Sequence, residues 1–359
     1  SGAAGLIVFF IVGIPVTVAI LYRCYDWAVK VQKAVTASQN NNGVWLPQIG
    51  VVPDSQVEGA TMEKFLMDIA RERPLRFSPQ QLAAFTEGFS EVLGSGGFGV
   101  VYKGVFPNGG QIAVKVLNYN ASNRVAEQFM AEVGTIGRTY HINLVRLYGF
   151  CFHNNMRALV YEYMDFGSLE KLLFSELNQS IEWAKPQDIA IGTAKRIAYL
   201  HEECQQRIIH YDIKPENVLL DANLTPKVAD FGLATLCNQD RTHVSISGYR
   251  GTPGYAAPEM WTPYPVTHKC DVYSYGMLLF EIVGRRRNLD GKLSRDSQEW
   301  LPRWTYDKFK KGELSELFDT CSVPRENREL AGRMVKVALW CVQYLPKARP
   351  MMSTVVKML

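Results

Sequence analysis

The tightest constraint on this chain is a glycine-rich stretch that runs into a strand instead of a helix. Leu93-Gly94-Ser95-Gly96-Gly97-Phe98-Gly99 places glycines in a Gly-x-Gly-x-x-Gly spacing. That spacing alone is weak, because dinucleotide-binding folds use it where a loop opens a helix. Here Val100-Val101-Tyr102-Lys103-Gly104 continues as a strand. Pro107-Asn108-Gly109-Gly110 supplies a turn, and Gln111 to Leu117 reads as the next strand. A strand–loop–strand hairpin lets backbone N–H groups fold over phosphates, and glycine permits the close approach. A Rossmann sheet is thereby disfavoured and a β-rich unit predicted.

Further residues fall into order around this hairpin. Lys115, in Ala113-Val114-Lys115, sits on the third strand, where its ammonium can meet phosphate but needs an acidic partner to hold it. The helix predicted over about Arg124 to Thr139 offers Glu127 and Glu132. Glu132 lies among apolar residues at helical spacing and is the partner expected, whereas Glu127 reads as a solvated face charge. A strand at Arg157 to Met164 follows, and Asp165-Phe166-Gly167-Ser168-Leu169 starts the first helix of a larger unit. Ile189 to His201 reads as an apolar helix leading to His210-Tyr211-Asp212-Ile213-Lys214-Pro215-Glu216-Asn217. Thirteen residues past Asn217 comes Asp230-Phe231-Gly232, and Ala257-Pro258-Glu259 lies further on. A lone Asp-Phe-Gly is an ordinary turn. In series with the other stretches it is a signature.

From about Phe89 to Leu359 the sequence resembles the eukaryotic protein kinases, and the full motif series makes the likeness specific. Within them it resembles plant receptor-like kinases, above all the cereal rust-resistance and S-domain receptor kinases. Arg76-Phe77-Ser78, Gly96-Gly97-Phe98-Gly99, His141-Ile142-Asn143-Leu144-Val145 and Val160-Tyr161-Glu162-Tyr163-Met164 carry this finer likeness. The resemblance implies an α+β, two-lobed fold: a small β-rich lobe over residues 89–164 and a large helical lobe over 165–359. It also implies ATP with Mg2+ (or Mn2+) and transfer of the γ-phosphate to Ser/Thr hydroxyls of protein substrates. A co-receptor kinase is a candidate partner.

Site roles follow from the same likeness. Asp212 orients the acceptor hydroxyl, Lys214 neutralises charge on the phosphoryl group, and Asn217 and Asp230 hold metal. Lys115 with Glu132 grips the nucleotide phosphates, beneath the loop Leu93, Gly94, Ser95, Gly96, Gly97, Phe98 and Gly99. Val101, Ala113 and Leu219 line the base pocket, Tyr161 guards its back, and backbone groups near Glu162 and Met164 bind adenine. Lys214 favours Ser/Thr over Tyr specificity. His210 and Phe231 are expected to pack. Glu259 is expected to be buried against Arg349, and Asp271 to hold the catalytic loop by backbone hydrogen bonds.

One departure stands out. Tyr211 occupies the position before the catalytic Asp where most kinases carry Arg, the residue that reads activation-loop phosphate. The chain therefore resembles the "non-RD" type, in which loop phosphorylation is not the main switch. The activation loop spans Leu233 to Tyr255, with Thr235, Thr242, Ser245, Ser247 and Thr252 as candidate phosphosites. Gly251-Thr252 and Tyr255 are expected to shape the peptide-binding floor. A scaffolding pseudokinase is the alternative function, but such proteins lose residues equivalent to Lys115, Asp212, Asn217 or Asp230, and none is lost here.

The amino-terminal part has a different character. Gly2 to Tyr22 contains no charged residue, and about 20 apolar residues in a helix cross a bilayer core of roughly 30 Å. Arg23, Lys30 and Lys33 follow, which puts that side in the cytoplasm. Residues 1–22 are thus expected to form a single plasma-membrane span in contact with lipid, and 23–88 a cytoplasmic juxtamembrane segment. Within that segment Ser78, Pro79 and Gln81 carry N-cap, first-turn and capping-box signals for a short helix to about Glu87. The net charge of +4 gives no case for a nucleic-acid partner. Seven scattered cysteines without a Cys-x-x-Cys read as buried, reduced thiols.

Overall fold

The computed structural model describes residues 74–97, 99–118, 123–136, 144–153, 156–174, 184–237, 250–262, 265–289 and 300–359. The expected membrane span at 1–22 and most of the juxtamembrane segment lie outside these residues. Among the described residues no helix is long and apolar enough to cross a membrane.

The small lobe is a six-stranded sheet. Its strands are β1 (Leu75–Arg76), β2 (Val92–Gly96), β3 (Gly99–Val105), β4 (Gln111–Leu117), β5 (Leu147–His153) and β6 (Met156–Glu162), in the order β1-β5-β6-β4-β3-β2. β1 runs parallel to β5, and the other neighbours are antiparallel. Strand period sorts the side chains: Ile112 and Val114 of β4 are buried on one face, whereas Ala113 and Lys115 point to the other. The predicted strand–turn–strand hairpin is present, with the Asn108 side chain accepting a hydrogen bond from the Gly110 N–H in the turn.

The segment before the hairpin packs on this sheet. Helix α1 (Pro79–Phe85) has the capping box read from sequence: Ser78 Oγ accepts from the Gln81 N–H at 3.2 Å and Gln81 Oε1 from the Ser78 N–H at 2.9 Å. It stops two residues before the expected Glu87. Thr86 Oγ1 turns back to the Leu82 carbonyl, and Glu87, Gly88 and Phe89 all take left-handed backbone. Leu75, Phe77, Leu82 and Phe85 join Phe106, Ile112 and Val160 in one apolar cluster, with Phe85 edge-on to Phe77 and Phe106. Gly149 makes the β1 pairing sterically feasible, since a Cβ there would stand 2.2 Å from the Leu75 carbonyl oxygen. Residues 75–88, placed by sequence in the juxtamembrane segment, are therefore packed against the small lobe.

Helix α2 (Asn123–Ile136) buries Phe129, Glu132 and Thr135 while Glu127 stays exposed, and Phe129 meets Phe150 of β5 edge-on.

The large lobe is mainly helical. β7 (Gly167–Ser168), β9 (Val218–Leu220) and β10 (Pro226–Val228) form a small sheet, and β8 (Arg207–Ile209) pairs with β11 (Thr235–Cys237). The helices are α3 (Leu169–Phe174), α4 (Ala184–Ala198), α5 (Lys269–Gly284), α6 (Leu301–Lys311), α7 (Leu314–Thr320), α8 (Arg328–Cys341) and α9 (Met352–Met358). The helix expected to reach His201 ends instead in a π-helical turn, Tyr199–Glu203. Helix α5 is buried on nearly every face, as its uniformly apolar sequence demands, and packs against α4, α6 and α8. The six described cysteines are buried, and none is in a disulfide with another described residue.

Glu259 and Arg349 form the buried pair expected from sequence, with two parallel bonds of 2.6 and 2.8 Å. The remaining Arg349 donors reach the carbonyls of Gln343, Lys269 and Tyr344, and its guanidinium lies over the Tyr273 ring. The pair fixes the Ala-Pro-Glu segment to the chain leading into α9.

Candidate active site

The residues singled out in the two lobes meet at one place. Lys115 of β4 donates to Asp230 at 2.8 Å and to Glu132 of α2 at 3.4 Å. Sequence assigned it one acidic partner, and it has two, the nearer being Asp230. Burial alone would lower the Lys115 pKa, but the carboxylates of Asp230 and Glu132 reverse this and hold it above the ordinary lysine range. Burial pushes Asp230 up, yet Lys115 outweighs that and holds it low. Glu132 is raised by burial despite Lys115. Tyr161 donates its phenol to the other Glu132 oxygen, so the residue expected to guard the pocket also anchors α2.

The strand registers place the expected pocket residues. Val101 stands opposite Lys115, and Ala113 opposite Tyr161, so all four share one face of the sheet. Leu93, Gly94, Ser95, Gly96 and Gly99 form the β2–β3 turn region, and Asn118 reaches the Gly96 and Gly97 carbonyls. Phe98 lies outside the described residues. Gly99 has φ +141°, and a Cβ there would fall 2.1 Å from the Val116 carbonyl oxygen, which explains glycine at the third position. The Glu162 carboxylate accepts from the Arg146 N–H (2.7 Å) and from Lys227 of β10 (2.6 Å), ties not foreseen from sequence. Met164 follows β6, and Leu219 lies on β9.

The catalytic-loop residues are tightly held. Asp212 accepts from Asn217 Nδ2 at 2.9 Å and lies 3.1 Å from the Lys214 ammonium. Asn217 Nδ2 also donates to the Asp212 carbonyl, so its amide oxygen is left for another partner. Asp271 supports the loop as expected: its carboxylate accepts the His210 and Tyr211 N–H groups and faces His201 Nε2, each at 2.8 Å. Burial opposes its charge, but the His201 hydrogen bond and the donors around it hold its pKa below the usual carboxylate range. His210 packs edge-on against Phe231 at 4.7 Å, and its Nε2 bonds the Ala229 carbonyl. Tyr211 (φ +68°) and Asp230 (φ +63°) are both left-handed, a conformation costing about 1–3 kcal/mol for such residues and concentrated at functional sites.

Thr252 is the residue that sequence missed. Its hydroxyl donates to Asp212 Oδ1 at 2.6 Å and accepts from Lys214 at 2.8 Å. Sequence alone places it at the floor of the peptide site or among the phosphosites. Its side chain is also part of the catalytic-loop network. The pairing of a lysine two residues after the aspartate with a Gly-Thr ahead of Ala-Pro-Glu was the available signal. Tyr255, also expected at the floor, donates to the buried Glu281 at 2.8 Å. Among the other candidate phosphosites, Thr235 is bonded by Arg250, while Thr242, Ser245 and Ser247 lie outside the described residues.

The carboxylate of Asp230 and the freed amide oxygen of Asn217 are hard oxygen donors, the kind a Mg2+ ion prefers. No cluster of three or more His, Cys, Asp or Glu suited to a metal occurs among the described residues.

Known proteins resemble this chain over its two lobes. Residues 88–359 match the family model described as protein tyrosine and serine/threonine kinase. The chain is 42% identical over 289 residues to a PR5-like receptor kinase of Arabidopsis thaliana, covering 79% of this chain and 43% of that protein. It is 43% identical over 304 residues to rust resistance kinase Lr10 of Triticum aestivum, covering 83% and 47%. A G-type lectin S-receptor-like serine/threonine-protein kinase of Arabidopsis thaliana is 44% identical over 297 residues, covering 82% and 36%. The chain thus spans less than half the length of these relatives. A family match over residues 88–359, which hold the bonded Lys115–Asp230 and Asp212–Asn217 pairs, means that the chain belongs to the protein tyrosine and serine/threonine kinase family.

Proposed function

We propose that this chain is the membrane-anchored kinase portion of a plant receptor-like protein kinase, with a role in defence or surface signalling. It transfers the γ-phosphate of ATP to Ser/Thr hydroxyls of proteins. The observation that carries this is the joining of the two lobes' chemistry: Lys115 of the sheet bonds Asp230 at 2.8 Å, while Asp212, Lys214 and Asn217 form a bonded group beside them. Phosphoryl transfer asks for positioning and charge neutralisation more than covalent chemistry, and these side chains supply both.

In this reading Asp230 and the Asn217 amide oxygen hold Mg2+, or Mn2+ in its place. The ion, when bound, neutralises phosphate charge. Lys115, kept in place by Glu132, takes phosphate oxygens, and the loop from Leu93 to Gly99 covers them. Val101, Ala113, Tyr161, Met164 and Leu219 enclose the base, with backbone groups near Glu162 and Met164 as hydrogen-bonding partners. Asp212 orients the acceptor hydroxyl and accepts its proton. Lys214 and its bond to Thr252 support Ser/Thr specificity, because they build the acceptor side of the site from a lysine and a hydroxyl. The burial of Tyr211 supports the non-RD assignment. Residues 1–22 anchor the chain in the plasma membrane, and residues 89–359 form the cytoplasmic kinase domain. The pseudokinase alternative has no support, since all four residues whose loss would mark it are present.

Nucleotide binding tests the metal assignment. Calorimetric titration with ATP should show affinity rising at least about 10-fold with Mg2+, as charge neutralisation by the ion requires. Asp230→Asn should lose most of that gain and Asn217→Ala part of it. Equal affinities with and without Mg2+ in the wild type would overturn the assignment.

A further inference from the structure

Tyr211 leaves the catalytic loop without the arginine that would read a phosphate, yet the chain from Arg250 to Thr252 meets the loop in a defined way. Tyr211 is 3% exposed, among Ile209, Cys237, Ala257, Val266 and Cys270. Its phenol oxygen is buried and has no hydrogen-bond partner among the described residues. It cannot receive a phosphate from that pocket. The guanidinium of Arg250 lies 5.8 Å from the centre of its ring, a distance at which a cation is attracted by the aromatic face.

Arg250 also ties together the two ends of the activation segment. Its Nη1 donates to Thr235 Oγ1 at 2.8 Å and to the Leu233 carbonyl at 3.2 Å. Thr235 belongs to β11, which pairs with β8 at the entry to the catalytic loop. Two residues after Arg250, Thr252 bonds both Asp212 and Lys214. One planar cation therefore spans the outgoing strand, the returning chain and the Tyr211 ring, immediately before the hydroxyl that contacts the catalytic aspartate. A lysine could supply the charge and the donors but not a planar guanidinium beside the Tyr211 ring.

We propose that Arg250 is a positioning residue for phosphoryl transfer. By fastening Leu233 and Thr235 to the returning chain over the Tyr211 ring, it sets Thr252 against Asp212 and Lys214 with no phosphate needed. The proposal rests on the reading of this chain as an active kinase and names the internal group that takes over the phosphate's work.

The test uses the whole 359-residue chain in detergent, treated with phosphatase, assayed with MgATP and a serine peptide. Wild type should keep its kcat within about 2-fold after phosphatase treatment. Arg250→Ala should lower kcat by at least about 10-fold with the KM for MgATP within about 2-fold, as expected when orientation rather than nucleotide binding is lost. Arg250→Lys should recover part of the loss. Thr235→Val removes one acceptor without changing side-chain size and should fall between wild type and Arg250→Ala. Unchanged kcat in Arg250→Ala and Thr235→Val would overturn the proposal. So would a phosphatase-treated wild type as slow as Arg250→Ala, because phosphate would then do the positioning. A wild type inactive in every state would instead sink the kinase reading itself.

Discussion

The Glu259–Arg349 pair gives the sharpest stability prediction, because the two partners are not equivalent. Replacing Arg349 by Met keeps an unbranched side chain of similar length but strands a carboxylate that is 3% exposed. It also removes the donors to three carbonyls, those of Gln343, Lys269 and Tyr344. Breaking a buried pair from one side costs about 3–5 kcal/mol. Each deserted buried acceptor adds about 1–3 kcal/mol where water cannot replace the donor. Arg349→Met should therefore destabilise by at least about 4 kcal/mol. Glu259→Gln keeps the shape and one oxygen acceptor, and Arg349 retains its three carbonyls. The buried guanidinium loses its counter-charge and one of its N–H groups meets the new amide N–H, but three carbonyls still solvate it, so the loss should lie at the low end of the one-sided range, about 3 kcal/mol, and below that of Arg349→Met. The double variant Glu259→Leu/Arg349→Met should recover part of the Arg349→Met loss, since the buried charge is gone. Urea denaturation followed by tryptophan fluorescence measures all three. Equal losses for Arg349→Met and Glu259→Gln, or a double variant worse than Arg349→Met, would refute the reasoning.

Two further predictions concern other elements. In Gly149→Ala the new methyl would meet the Leu75 carbonyl and the Phe77 ring, so β1 should detach from β5. Stability should fall by about 1–3 kcal/mol, and exchange protection of the Phe77 N–H, which bonds the Phe150 carbonyl, should be lost. Glu281, buried beside Tyr255, the Asn288 N–H, Glu216 and Arg287, has its pKa pushed up to about 7 by burial. The folded chain then binds more protons than the unfolded one between pH ~4.5 and ~7, so stability contributed by this group is present at the acid end and lost as pH rises through 7. Glu281→Gln should flatten the melting temperature between pH 5 and 8 and be the more stable protein at pH 8. Parallel profiles for the two proteins would count against it.

Local chemistry accounts for what could be read from the chain. The glycine hairpin, the capping box at Ser78 and Gln81, and the apolar helix behind Asp271 each depend on neighbours within a few residues. The longer-range pairs Lys115–Glu132 and Glu259–Arg349 were legible for a different reason. A charged residue among apolar ones must find a counter-charge, and few were on offer. What escaped was set by tertiary contact. β1 is two residues long, and its pairing depends on a bare backbone at Gly149, seventy-odd positions away. Lys115 reaches Asp230 because the two lobes meet there, which no local pattern encodes. Sequence places Thr252 only at the peptide-site floor or among the phosphosites, and Arg250 carries no local signal, since a guanidinium in a loop is usually solvated. The Glu162–Lys227 bond joins β6 to β10 through side chains that, taken alone, read as surface charges.

The most direct measurement is single-turnover phosphate transfer from MgATP to a serine peptide and to its tyrosine counterpart, by wild type and by Asp212→Asn. The account predicts phosphate on serine, little on tyrosine, and a rate at least about 100-fold lower in Asp212→Asn with nucleotide affinity kept. Transfer that survives unchanged in Asp212→Asn, or wild-type transfer confined to tyrosine, would contradict it.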